Sequence, residues 1–108
     1  MLVWSERLTG SRGTVVRALT GRAGGVSTGP YAALNLGDHV GDDAAAVAEN
    51  RRRVAAAAGG SLVVARQVHG RGVAVVDAPW AGAPAEADAL VTDRPQLLLA
   101  VLVADCVP

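Results

Sequence analysis

"LLLAVLVADCVP", residues 97–108, is the stretch that decides the fold. Its first eight residues are all apolar, at both parities. A strand with one wet face alternates apolar and polar side chains. A strand apolar on both faces sits in a sheet that is covered on both sides. Residues 97–105 therefore predict a covered strand. The stretch then delivers an aspartate, the single cysteine of the chain and, at the end, a proline.

Upstream, "LVVARQVHG" (62–70), "VAVVD" (73–77) and "ADALVT" (core 88–92) also read as strands. The Gly70-Arg71-Gly72 corner predicts a hairpin between the first two. "APWAGAPAEA" (78–87) is an Ala/Pro/Gly loop. Before these lies Ala44–Ala58, rich in alanine, the best helix former. Asp42 or Asp43 caps this helix by accepting from the N–H groups of its first turn. Gly59-Gly60 ends it. Val47 and Val54, seven apart, share a face, and Glu49 and Arg53, four apart, can pair. Residues 14–19 begin with the β-branched run Thr14-Val15-Val16 and predict a strand. In "TGRAGGVSTGP" (20–30), five of eleven residues are Gly or Pro, which predicts a loop with special backbone angles. One strand, one helix and four strands give an α+β or layered α/β fold. There is no internal repeat and no linker to a second domain.

The chain has 108 residues, room for one small domain. It is 51% hydrophobic but only 3% aromatic, with no Phe, so the core must be built from Ala, Val and Leu. Ten arginines balance ten acids, and there is no lysine. Zero net charge argues against a general nucleic-acid or membrane-surface binder. Arg51-Arg52-Arg53 reads as the wet face of the helix. One cysteine excludes an internal disulfide and points to a reducing compartment. The N-terminus lacks a signal-peptide pattern. The longest apolar run, eight residues, falls far short of the roughly 20 that span a bilayer. The expectation is a soluble cytoplasmic protein.

Several motifs are absent. A P-loop needs a lysine that the chain lacks, and "GRAGG" (21–25) is no dinucleotide fingerprint. The zinc-deaminase signature, a paired-cysteine zinc knuckle and a Gly-x-Ser-x-Gly nucleophile are missing too. The soft ligands are His39, His69 and Cys106. His69 and Cys106 close two apolar stretches, and strand ends present side chains at a sheet rim where sites form. Spacing alone yields an α/β domain with a candidate His/Cys site. Each residue alone also fits a bland role: a hydrogen-bonded histidine, a small buried thiol.

Taken together, "TGRAGGVSTGPYAALNLGDHVGDD" (20–43), "VAENRRRV" (47–54), "RQVHG" (66–70), "ADALVTD" (87–93) and "LAVLVADCVP" (99–108) resemble the YfiH-type family. Its members are also called polyphenol oxidase or laccase-domain proteins and are regarded as purine nucleoside enzymes. Where the family usually reads Phe-Thr-Thr-Arg before the glycine pair, this chain has Leu19-Thr20-Gly21-Arg22, which keeps Arg22. The resemblance implies an α/β sandwich with layered mixed sheets, of which residues 1–108 are the N-terminal part of a single domain. It implies a metal site, usually zinc, with His69 and Cys106 as ligands and a third ligand in a His-Ala-Gly-Trp-Arg-Gly segment beyond residue 108. It implies phosphorolysis of adenosine, inosine and methylthioadenosine, and deamination of adenosine. Two imidazoles and a thiolate suit Zn²⁺ with one position open for Lewis-acid or hydroxide chemistry.

Phosphorolysis needs a bound phosphate. Arg22 and the N–H groups of Gly24-Gly25 form a plausible anion holder, against a structural ion pair for Arg22. Asn35 and His39 are candidates to line the nucleoside pocket, though Asn35 equally fits a turn bonded to its own backbone. Asp105 either orients a ligand or ends the strand; the second reading is preferred. Three alternatives stay open. A copper polyphenol oxidase would need many histidines where the chain has two, so His39, His69 and Cys106 would make one copper site at most. A cysteine hydrolase would use Cys106 as nucleophile and His69 as base. The fourth reading is an inactive piece, because a strand over 97–105 without further neighbours leaves an apolar edge. Without the third ligand, the 108 residues are expected to bind zinc poorly and turn over no inosine. The oligomeric state is not legible.

Overall fold

A computed structural model describes residues 1–105. Cys106 therefore lies outside the described residues. The architecture is mixed α/β, with one helix and six strands among the described residues. It divides into two compact units, Met1–Ala58 and Gly59–Pro108.

The first unit opens with an antiparallel ribbon of β1 (Leu2–Gly10) and β2 (Gly13–Thr20). Strand β2 contains the predicted 14–19. Strand β1 goes beyond the sequence reading: the ribbon is largely exposed, so burial imposes no apolar alternation on "LVWSERLTG". Cross-strand pairs hold it instead. Arg17 meets Glu6 and lies 5.9 Å from the Trp4 ring centroid, and the hydroxyls of Thr9 and Thr14 are 3.1 Å apart. Residues 21–43 are irregular apart from one 3-10 turn, Gly29–Tyr31, as their glycines predict. Helix α1 (Ala44–Ala58) has the predicted bounds. Asp43, not Asp42, is its cap: the Asp43 carboxylate accepts from Ala46 N at 3.1 Å and its carbonyl from Val47 N at 3.0 Å. Gly59, at φ +80°, closes the helix in the left-handed region. Its buried face is Val47, Asn50 and Val54.

The second unit holds β3 (Ser61–Val64), β4 (Val73–Val75), β5 (Ala89–Val91) and β6 (Leu97–Ala100). β3 pairs with β6 and β4 with β5, both in parallel, and a bridge joins Arg66 to Glu86. The predicted hairpin at Gly70-Arg71-Gly72 does not form. The amides of residues 68–70 go to a carboxylate rather than to a ladder, and Gly72 O accepts from Asp88 N and Ala89 N. Strand β6 is shorter than predicted, and its four residues are evenly half-buried at both parities. Val63, Val64, Val76 and Ala87 are buried, small aliphatic residues as the composition dictates. Trp80 is half-buried and donates its indole N–H to Val64 O at 2.9 Å. Among the described residues no helix is long and apolar enough to cross a membrane.

Candidate functional site

In the first unit, the loop carrying Arg22, Asn35 and His39 is built around one side chain. Asn50 is fully buried. Its Oδ1 accepts from Val26 N at 2.8 Å, and its Nδ2 donates to Ser27 Oγ (2.8 Å), Asn35 O (2.8 Å) and Ala33 O (3.2 Å). Ser27 passes the chain on, donating to Asp42 Oδ2 at 2.6 Å. Asp42 also accepts from Asn35 Nδ2 (3.0 Å) and Asp43 N (2.8 Å). The Ser27 hydroxyl, then the Asn35 amide, hold the Asp42 carboxyl below its ordinary range. No buried side-chain donor or acceptor among the described residues is left unpaired.

Close packing makes Gly25 obligatory, since a Cβ there would meet Ala33 O at 2.0 Å. Arg22 is exposed. Its guanidinium donates to Ala32 O at 3.1 Å, and its carbonyl accepts from Ala33 N and Leu34 N. The described residues give it no ion pair. Asn35 forms an Asx turn, accepting from Gly37 N (3.1 Å) and donating to Gly37 O (3.0 Å). The His39 side chain is 77% exposed, with Nδ1 3.9 Å from Asp38. Arg51, read from the sequence as a wet residue, is instead half-buried and structural: it donates to Leu36 O at 2.8 Å and faces Asp38 at 3.5 Å. Arg53 reaches Gly24 O at 3.1 Å. Arg52 and Arg53 both grip Glu49, and with Arg52 the larger cause they bring its carboxyl down to about 2.

In the second unit, His69 sits on a turn rather than at the end of a strand. It is exposed and has φ +56°, a conformation few non-glycine residues adopt. Asp88, one residue before β5, places its carboxylate against three successive amides. Oδ1 accepts from His69 N at 2.8 Å, Oδ2 from Gly70 N at 2.8 Å, and Val68 N lies 3.2 and 3.3 Å from the two oxygens. Gly70 N–H is the largest cause, with His69 and Val68 behind it, of an Asp88 carboxyl held below its ordinary range. Gln67 makes a second tie. Its Oε1 accepts from Leu102 N at 2.8 Å and its Nε2 donates to Leu102 O at 3.0 Å, so the amide acts as one more rung of a ladder. In sequence, Gln67 is two residues before His69, and Leu102 four before Cys106.

A cleft of about 240 Å³ in this unit is lined by Gln67, Asp88 and apolar residues including Leu90, Leu99 and Val101. That is small for a ligand pocket. No three His, Cys, Asp or Glu side chains gather as a metal site among the described residues. The sequence reading passed over Asn50, Gln67 and Asp88. Asn50 had a signal, a polar residue on the Val47–Val54 face. Gln67 had one too, an amide inside an apolar stretch.

The family described as multi-copper polyphenol oxidoreductase laccase matches residues 16–108. The chain belongs to this family. Among relatives of this laccase-family chain, a purine nucleoside phosphorylase of Streptomyces griseus is 51% identical over 99% of the chain and 46% of its own length. Another purine nucleoside phosphorylase, from Corynebacterium glutamicum, is 57% identical over 87% of the chain and 40% of its own length. Solved structures agree on the fold. A Neisseria meningitidis protein of the DUF152 family gives a TM-score of 0.74 at 43% identity, over 82% of this chain and 36% of that one. YlmD from Geobacillus stearothermophilus gives 0.71 at 40% identity, over 82% and 37%. The chain thus spans less than half the length of these relatives.

Proposed function

We propose that this chain supplies part of a metal-assisted purine nucleoside phosphorylase. The supporting observation is the Gln67–Leu102 clamp, which ties the segment leading to His69 to the segment leading to Cys106. A neutral imidazole and a thiolate are donors that fit Zn²⁺, and a third ligand would come from the length that relatives have beyond this chain. When bound, the metal would supply Lewis-acid polarisation of a substrate or water oxygen. His69 and Cys106 would hold it. Arg22, anchored through Ala32 O, retains further guanidinium donors for phosphate, and Asn35 and His39 are the proposed nucleoside contacts. In phosphorolysis, the bond from ribose C1′ to the purine nitrogen breaks and one from C1′ to a phosphate oxygen forms. The base leaves with a proton. Adenosine, inosine and methylthioadenosine are the proposed nucleosides, with adenosine deamination as a second reaction. A thiolate that must stay reduced suits a cytoplasmic location.

The test supplies the chain with the remaining length of its Streptomyces relative, as a second polypeptide. We expect phosphate-dependent release of hypoxanthine from inosine, one bound zinc, and loss of both in His69→Ala and Cys106→Ala. The 108-residue chain alone is expected to bind zinc weakly and release no hypoxanthine. Hypoxanthine release that survives Cys106→Ala would refute the reading. Bound copper with a blue absorption band would favour the oxidase the family description names.

A further inference from the structure

The three amides gathered by Asp88 belong to the turn that carries His69. Successive N–H groups that point to one spot form an anion-binding nest. Here the nest is filled from within the chain, by a half-buried carboxylate on a rigid base. Asp88 N is itself bonded to Gly72 O at 3.1 Å, Ala87 before it is buried, and β5 begins at the residue after it. A Cβ on Gly70 would stand in ordinary van der Waals contact with Asp88 Oδ2, at 3.6 Å. The left-handed backbone at His69 costs energy and persists only where the surroundings over-determine it. The carboxylate is the group that does so, because it takes the amide of His69 and of the residue on either side. Fixing that backbone fixes the Cα–Cβ direction, and hence where the exposed imidazole starts.

We infer that Asp88 is a positioning residue: through the three amides of residues 68–70 it holds His69 in the left-handed turn and aims its imidazole for ligation. The inference rests on the proposed role of His69 as a ligand. Asp88 itself neither binds metal nor touches substrate in this role. Its work is done through the backbone, unlike the usual partner that accepts the distal N–H of a ligand histidine.

The experiment has a metal-free arm on the 108-residue chain and a metal arm on that chain supplied with the remaining length of its Streptomyces relative, with Asp88→Asn as the main variant and Asp88→Glu as the carboxylate-keeping one. Without metal, NMR should show slow amide exchange at 68–70 and an ordered His69 ring in the native chain. In Asp88→Asn, exchange at those three amides should quicken at least tenfold and the ring should lose order, with amide exchange in β3 and β6 unchanged. Asp88→Glu should recover part of both. In the metal arm, Zn²⁺ is followed by the shift of the His69 ring protons, and Asp88→Asn should weaken binding about tenfold, the lower end for loss of an outer-shell partner. Unchanged ring order in Asp88→Asn overturns the inference, as does unchanged zinc affinity despite exposed amides. If zinc moves no His69 signal even with the native chain supplied with that remaining length, the ligand reading fails. The metal-free arm still decides whether Asp88 sets the ring.

Discussion

Asn50 and Asp88 each fix a stretch of backbone that the ladders of helix and sheet do not reach, and they do it with opposite chemistry. The loop over Asn50 offers one N–H and two carbonyls, plus the Ser27 hydroxyl. An amide both donates and accepts, so a neutral side chain can serve them while fully buried, its two N–H hydrogens shared among three acceptors of which Ala33 O also has Ser27 N. The turn under Asp88 offers three N–H groups and no carbonyl. Only an acceptor with two oxygens suits it, and its charge requires partial exposure. The amide thus builds a buried frame, while the carboxylate holds a turn whose side chain stays in water. A frame serves a loop that must not move. An exposed histidine on a fixed turn is what the proposed site would need.

The harshest way to break the comparison is Asn50→Ala. It takes the side-chain partner from Val26 N–H and from Asn35 O, while Ala33 O keeps Ser27 N, and we expect a loss of about 3 kcal/mol in urea unfolding. A loss under ~1 kcal/mol would mean that the loop re-forms its bonds elsewhere. Next comes Gln67→Ala, which removes both bonds to Leu102. The expected cost is ~1–2 kcal/mol, read as faster hydrogen exchange at the Leu102 amide. Asp43→Ala sharpens the contrast from the other side, since Asp43 is a carboxylate with a single helix N–H to accept. A cap of that kind is worth ~1 kcal/mol, measurable in the same unfolding assay.

The smallest effect is the pH dependence of the first unit. Asp42 and Glu49 both have folded pKa values below their unfolded ones, Glu49 at about 2 against an ordinary 4.5. Their contribution is complete above the ordinary carboxylate values and fades as pH falls through the folded ones. Thermal midpoints should therefore be flat above about pH 5 and decline between pH 4.5 and 2. Glu49→Gln should make that decline shallower.

Local signals were legible in the sequence and distant ones were not. Helix α1 could be read to its bounds because its alanines, its cap and Gly59 lie within seventeen residues, and Glu49 and Arg53 pair within one turn. The hairpin expectation failed because β4 takes its partner from β5, across the loop of residues 78–87. Parallel pairing depends on such remote partners, which no corner sequence reports. His69 was visible as a soft ligand beside a glycine. Asp88 was not, because its partners are backbone amides, which no residue letter records. Gln67 showed as an amide inside an apolar stretch, but its partner did not, because the clamp on Leu102 spans 35 residues.

The most direct test of the central claim, that His69 and Cys106 serve one site, is a disulfide trap. His69→Cys, mildly oxidised as the 108-residue chain, leaves Cys106 as its only thiol partner, and a bond requires Cα atoms within about 7 Å. A shared site predicts a monomer that has lost two hydrogens and both thiols, formed more slowly when Gln67→Ala is added. Two thiols still reactive, or disulfides only between chains, would contradict it.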